Sequence, residues 1–412
     1  MGENMKSLQL MLMVLLAAGC AAPSRNVHEI IDRPVEEVDH YHQCRKVRKN
    51  GMTVVYLTGT PYEIGFAHGW LCRDEIVRCN RYCWDAYEKL ASAPDGQWLP
   101  LSRSLEAFIP EEYRLEMKGI ADGSGLSYDK ILFLNTLVTI SEHNKCFAFS
   151  IREEGERLWT LRQIDISPRI TLWKKMVLYI VKPLEGYGFA ALLNPGWVSG
   201  ETGMNEKGLT VSENNIHIRQ TEWEVMPVDA LSRRLLQYAG SAEEAEGLLK
   251  AQTDYPARLL FISNPEGASI FEIANREMAR IDMDGPYLAV ANHAVKIPSR
   301  NITAFSLRRL EFAEHFLKRH QHALTVEKAI ELVRTSRITW FWNPAVHNRQ
   351  SVVFSPSTLD FWVALPPDSD STPASRNPYV GFNLKRELYG TGSEPTPKSF
   401  PSGRSAKSTS KR

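Results

Sequence analysis

Three shortages narrow the reading of this chain. There is no excess of either charge: 49 Lys+Arg stand against 48 Asp+Glu, so nothing electrostatic recruits a nucleic acid. There is no apolar run of membrane-spanning length; Leu8 to Ala18 is apolar but well short of the roughly 20 residues a bilayer requires. Cysteine is scarce, six in 412 residues, which excludes a small disulfide-built module. A hydrophobic fraction of 43% at this length permits a large core and an ordinary globular fold.

The short apolar run has Lys6 before it and Ala17-Ala18-Gly19-Cys20 after it, the form of an export signal with a small-residue cleavage site. The site resembles a bacterial lipobox. That implies a product starting at Cys20, lipid-modified there and anchored to the cell envelope, at the outer membrane where the host has one. Residues 20–53 read as a polar tether. In an exported chain, a bridge from Cys44 to Cys72, Cys79 or Cys83 is expected. The last three share a helical face that His68 extends, a pattern read as packing rather than metal ligation.

Thr60-Pro61-Tyr62-Glu63 is a capping box with proline at the first helical position, and it predicts one long helix to about Ser92. Further helices are predicted near 110–121 and 127–140, so residues 54–145 read as a mostly helical segment. At Cys146 the pattern changes to alternation, with a hairpin turn at Glu153–Glu156 and a return over Leu158–Ile164. Strands near 187–193, 208–213, 257–263, 268–274, 287–291, 351–354 and 359–364 are interrupted by helices near 228–239, 241–251, 303–319 and 325–335. Hairpin-linked strands with paired helices predict α+β layers. An ordered island at Tyr379–Leu388 precedes a Ser/Pro-rich tail, 391–412, read as disordered.

Cys146 alone reads as a small buried hydrophobe, as most free cysteines are. Its surroundings change that. Arg162 and Asp165 lie on the return strand, where a hairpin can bring them back beside Cys146. A cation beside a thiol favours the thiolate, which is the nucleophile. No histidine is an obvious base, since His143 falls outside the strand. A chain cut between Lys145 and Cys146 would supply its own base, because an α-amine titrates near pH 8. Asn214, Asn215 and Asn292 end strands, where a side-chain amide can donate to an oxyanion.

These residues carry a resemblance. Gly59-Thr-Pro-Tyr-Glu-Ile-Gly65 with His68-Gly69, the Cys146/Arg162/Asp165 spacing, Thr202-Gly-Met-Asn-Glu-Lys-Gly-Leu209, Asn292-His293 and Ser306-Leu-Arg-Arg309 are similar to the penicillin acyltransferase-type branch of the N-terminal-nucleophile (Ntn) hydrolases. The resemblance covers about residues 54–390. It implies an Ntn-hydrolase αββα four-layer sandwich, with a helical pro-region at 54–145 and a catalytic domain at 146–390. It also implies self-cleavage before Cys146, with Cys146 as nucleophile, Arg162 tuning it and Asp165 orienting its amine. Asn292 would then stabilise the oxyanion, Asn215 or Asn214 would add a donor, and Arg309 or Arg308 would hold the network. The implied substrate is a small N-acyl amide, with no cofactor or metal. The sequence departs from the family at Lys145, where a small residue is common, and at Gln163, where relatives often have Asn.

The aromatic stretches Trp340-Phe341-Trp342 and Trp173–Val181 can line an acyl pocket but read first as core. A different class of function is a non-catalytic envelope lipoprotein that kept the fold as a scaffold. The joint presence of cysteine, arginine, aspartate and asparagine argues against it.

Overall fold

The computed structural model describes residues 35–49, 51–90, 98–140, 145–153, 157–166, 176–216, 218–299, 302–335, 337–338, 347–366 and 372–390. Two sheets and two helical layers account for nearly all of them. The described part of the expected tether, from residue 35 on, is a strand hairpin: Glu36–Tyr41 (β1) and Cys44–Lys49 (β2) pair antiparallel, and Met52–Gly59 (β3) continues the meander. Val47, Met52 and Val54 are buried on one side and Cys44, Val55 and Leu57 on the other. That two-sided burial explains why a stretch with so many charges still pairs.

The single long helix expected from Thr60 is two helices, Pro61–Leu71 (α1) and Arg73–Leu90 (α2), broken at Cys72. The capping box forms, with Thr60 and Glu63 satisfying each other's backbone N–H. Trp98–Glu106 (α3), Glu111–Ser124 (α4) and Tyr128–Ile140 (α5) complete the helical run. Helices α1 and α4 cross in backbone contact. A Cβ on Gly65 would sit 1.9 Å from the Glu116 carbonyl oxygen, and one on Gly119 2.3 Å from that of Tyr62. Glycine is required there by the close approach.

The remaining strands are Lys145–Arg152 (β4), Leu158–Ile166 (β5), Val177–Pro183 (β6), Phe189–Leu193 (β7), Thr202–Asn205 (β8), Thr210–Asn215 (β9), Tyr255–Asn264 (β10), Gly267–Asn275 (β11), Glu277–Asp282 (β12), Tyr287–Val290 (β13), His347–Ser355 (β14), Asp360–Ala364 (β15) and Val380–Asn383 (β16). The helices among them are Val228–Tyr238 (α6), Ala242–Lys250 (α7), Ala304–Arg319 (α8), Val326–Arg334 (α9) and Leu384–Tyr389 (α10). A ten-stranded sheet runs β1-β2-β3-β6-β7-β8-β9-β10-β11-β12, and a six-stranded sheet runs β13-β4-β5-β14-β15-β16. Strands β6, β8 and β12 were not anticipated. The β3–β6 pair is parallel, so the segment before Cys146 contributes three strands to the large sheet as well as helices.

Burial sorts the molecule into four layers. One core lies between α1, α2 and α4–α7 and the outer face of the ten-stranded sheet. Two lie between the sheets, around Ile164 and Leu178 and around Leu259 and Phe261. A fourth packs Phe147, Phe149 and Trp159 against α8 and α9. This is the αββα sandwich that the resemblance implied.

Candidate active site

Strand alternation places the candidate residues. On β4, Cys146 and Ala148 face the gap between the sheets, while Phe147, Phe149 and Ile151 face α8 and α9. On β5, Ile164 and Ile166 face the gap, and Trp159 and Leu161 face the helices. Arg162 therefore enters the gap and Asp165 leaves on the helical side. The hairpin register sets Cys146 opposite Ile164 and Ala148 opposite Arg162, so the return strand does come back beside the cysteine.

Arg162 is fully buried, with Nη2 3.4 Å from Cys146 Sγ. Its Nη1 donates to Asn214 Oδ1 at 2.5 Å, Nη2 donates also to the Glu213 carbonyl, and Glu201 Oε1 lies 3.9 Å away. The thiol is buried too. Burial pushes the Cys146 thiol above its ordinary range, and the Arg162 charge pulls it back by less. Arg162 thus acts in the direction expected from sequence, and in the continuous chain desolvation outweighs it.

Behind Arg162 lies a buried acidic group that sequence reasoning missed. Arg258 Nε donates to Glu213 Oε1 at 3.0 Å, and Glu201 and Asp229 share the same interior. Burial raises all three carboxyls, and repulsion from Glu213 adds to the rise of Asp229 and of Glu201, the latter to about 8. Three carboxyls face two guanidiniums, so a proton retained within the group removes the excess negative charge.

Asp165 acts from the other side of β5. Its Oδ2 accepts from Arg309 Nη2 at 2.5 Å and its Oδ1 from Asn348 Nδ2 at 2.9 Å. Arg309 Nη1 donates to the Cys146 carbonyl at 3.2 Å, and its guanidinium lies 5.1 Å from the Phe147 ring centroid. Asp165 therefore reaches Cys146 through Arg309 and the backbone, and does not touch the Cys146 nitrogen. Arg308, by contrast, is exposed and donates to the Ala304 carbonyl within its own helix.

The partner of the Cys146 nitrogen is Asn292. Cys146 N donates to Asn292 Oδ1 at 3.0 Å, and Asn292 Nδ2 donates to the Asn215 carbonyl at 2.9 Å. One of the two amide hydrogens of Asn292 is thereby committed. Ser306 Oγ accepts from Asn292 N at 2.8 Å and lies 2.7 Å from His293 Nδ1, tying the asparagine to α8. Glu272 fixes the loop beyond, accepting from the N–H groups of Val295, Lys296 and Ile297 at 2.6–2.8 Å. Asn214 Nδ2 donates to the Ala291 carbonyl at 2.9 Å and its Oδ1 accepts from Arg162, which commits the oxygen and one of the two amide hydrogens. Asn215, buried beside it, meets Asn292 through its backbone.

Lys145 opens β4 half-buried and opposite Asp165 in register. Cys20, His143, Trp173 and Trp340–Trp342 lie outside the described residues. The expected bridge from Cys44 is absent: Cys44, Cys72, Cys79, Cys83 and Cys146 are all free. The Cys44 sulfur is engaged by Thr58 N at 3.4 Å, and that of Cys72 by the Tyr179 hydroxyl at 3.8 Å. Among the described residues, no group of three or more His, Cys, Asp or Glu side chains is placed to hold a metal ion.

Residues 151–341 match the family model described as acyl-coenzyme A:6-aminopenicillanic acid acyl-transferase. An uncharacterized protein of Archaeoglobus fulgidus is 24% identical over 277 residues, 58% of this chain and 46% of that one. The acyl-coenzyme A:6-aminopenicillanic-acid-acyltransferase 40 kDa form of Emericella nidulans is 21% identical over 228 residues, 53% of this chain and 62% of its own. The chain thus spans about half the length of the curated relatives it matches. A solved Caenorhabditis elegans N-acylethanolamine-hydrolyzing acid amidase ortholog aligns at TM-score 0.41 and 12% identity, covering 58% of this chain and 99% of that one. Penicillin V acylase from Agrobacterium tumefaciens aligns at TM-score 0.41 and 15% identity, over 55% and 84%.

Proposed function

We propose, from a chain whose residues 151–341 are of the penicillin acyltransferase type, that this protein is a cysteine amidohydrolase or acyltransferase acting on small N-acyl amides. The observation that carries the reading is that sulfur and nitrogen of one residue are held by separate buried side chains. Arg162 lies 3.4 Å from Cys146 Sγ, and Asn292 Oδ1 accepts from Cys146 N at 3.0 Å. A residue that is merely packed does not need both of its polar atoms positioned.

In this reading the chain first cuts itself between Lys145 and Cys146. The thiol attacks the Lys145 carbonyl, the C–N bond breaks as the nitrogen takes a proton, and water hydrolyses the resulting thioester. The freed α-amine then serves as base. It takes the thiol proton as the thiolate attacks an amide carbonyl, and returns it to the departing amine. Water, or a second amine, releases the acyl group. Asn292 holds the amine through Oδ1 and has one amide hydrogen to offer the oxyanion, with Asn215 beside it. Arg309 and Asp165 fix the Cys146 backbone, so their loss costs geometry. The N-terminal segment through Cys20 would attach the enzyme to the envelope membrane.

The test is a panel of N-acyl amides varied in acyl chain and amine, with wild type and Cys146→Ala. Turnover by wild type alone, together with an intact uncut Cys146→Ala chain, is expected. Equal turnover by both proteins, or none on any member of the panel, would remove the proposal and leave a scaffold.

A further inference from the structure

The hairpin turn between β1 and β2 overhangs a cleft of about 530 Å³ on the opposite face of the large sheet from Cys146. Cys44, in its wall, belongs to the core under the helices, whereas Val47, Met52 and Val54 belong to the inter-sheet core that contains Cys146. The volume is that of a small-molecule site.

The walls of the cleft have a consistent chemistry. Tyr41, Tyr62 and Phe66 supply aromatic surface, with ring centroids 5.1 Å apart for Tyr41 and Phe66 and 6.3 Å for Tyr62 and Phe66. Among the described residues, Glu63 is the one carboxylate in the lining, and no lysine or arginine lines it. Glu63 Oε2 accepts from the Thr60 N–H and hydroxyl, both at 2.8 Å, which keeps the carboxyl below the usual range and charged. The Tyr62 hydroxyl donates at 2.8 Å to Asp122 Oδ2, outside the lining, an oxygen that also faces Lys118 Nζ at 3.9 Å. His42, at the turn, holds a left-handed φ of 52° and packs edge-on against Tyr41 at 4.5 Å. Aromatic faces next to a fixed carboxylate attract an organic cation and repel an anion.

We propose that this cleft binds a small organic cation, a primary or quaternary ammonium group, seated on the Tyr41, Tyr62 and Phe66 rings with Glu63 as counter-ion. The site is separate from the proposed reaction chamber and does not depend on it. An amine binder on this face would act on the segment preceding Cys146, to which every lining residue but Leu184 belongs.

The test compares choline with its uncharged isostere 3,3-dimethylbutan-1-ol on the full chain, by calorimetry and ligand-observed NMR. Choline should saturate at a dissociation constant of about 1 mM or tighter, and the alcohol should bind at least about tenfold more weakly. Glu63→Gln, which keeps a side-chain acceptor for the helix cap, and Tyr41→Leu, which keeps apolar bulk, should each weaken choline about tenfold without altering the circular dichroism spectrum. Cys146→Ala should bind choline unchanged. Equal affinity for choline and the alcohol would make this an apolar crevice and overturn the proposal. So would absent saturation, indifference to both cleft substitutions, or loss of binding in Cys146→Ala.

Discussion

Replacing Arg162 by leucine removes the cation that, among the described residues, contacts the Cys146 sulfur. At 3.4 Å, a guanidinium and a thiolate attract by about 5 kcal/mol at an effective dielectric constant near 20, and by about 1 kcal/mol at the value of water. Below the thiol's titration range, thiolate population should therefore fall from about tenfold to a few thousandfold. A more basic thiolate is a better nucleophile and recovers close to half of that exponent. The alkylation rate of Cys146 should drop roughly threefold to a hundredfold at fixed pH. Peptide-resolved mass spectrometry after timed iodoacetamide exposure measures it, with Cys72 as internal reference, since burial pushes that thiol up to about 12 without help from Arg162. Arg162→Leu also leaves Glu201 and Glu213 facing Arg258 alone, which should lower stability by about 3–5 kcal/mol. Arg162→Lys restores the charge and separates the two effects. An unchanged Cys146-to-Cys72 rate ratio in a folded Arg162→Leu protein would refute the assigned role of the arginine.

Four further outcomes are expected. Asn348→Ala leaves one Asp165 oxygen without its donor and should cut turnover about tenfold or more while the alkylation profile of Cys146 stays in place, because the sulfur faces the other side of the sheet. Gly65→Ala forces α1 and α4 apart against a 1.9 Å contact and should cost about 2 kcal/mol or more in denaturant unfolding; a neutral result would mean the crossing yields freely. Glu201, pushed up to about 8 by burial and by Glu213, contributes stability that is complete below the ordinary carboxylate range and lost as pH rises to about 8. Glu201→Gln should accordingly flatten the fall in melting temperature across that window, and an unchanged slope would contradict it. Cys20→Ser should move the protein from the membrane to the soluble fraction of its host; persistence in the membrane would exclude a lipid anchor at that residue.

The layered fold was legible because each layer leaves a periodic trace. The alternation from Cys146 to Ile151 and the capping box at Thr60 survive unchanged in the structure. What escaped was whatever tertiary contact decides. The β1–β2 hairpin reads as polar because its strand interiors are only partly apolar, and its pairing is set by β3 and the helices below. The break at Cys72 carries no proline to announce it. At the candidate site the faces were not readable. Arg162 and Asp165 are three apart on a strand with a two-residue period, so they serve opposite sides of β5. Arg309 could be separated from Arg308 only by which one α8 turns inward. Asn348 and Asp229 lie in no motif and reach the site across long stretches of chain.

The central claim is that Cys146, freed at its own nitrogen, carries the acyl group. The direct measurement is intact mass of the purified protein before and after brief exposure to an N-acyl amide, quenched in acid. The expected result is two fragments divided between Lys145 and Cys146, with the acyl mass added to the fragment that begins at Cys146 and removed by hydroxylamine. A single unbroken chain that turns the substrate over without gaining that mass would contradict it.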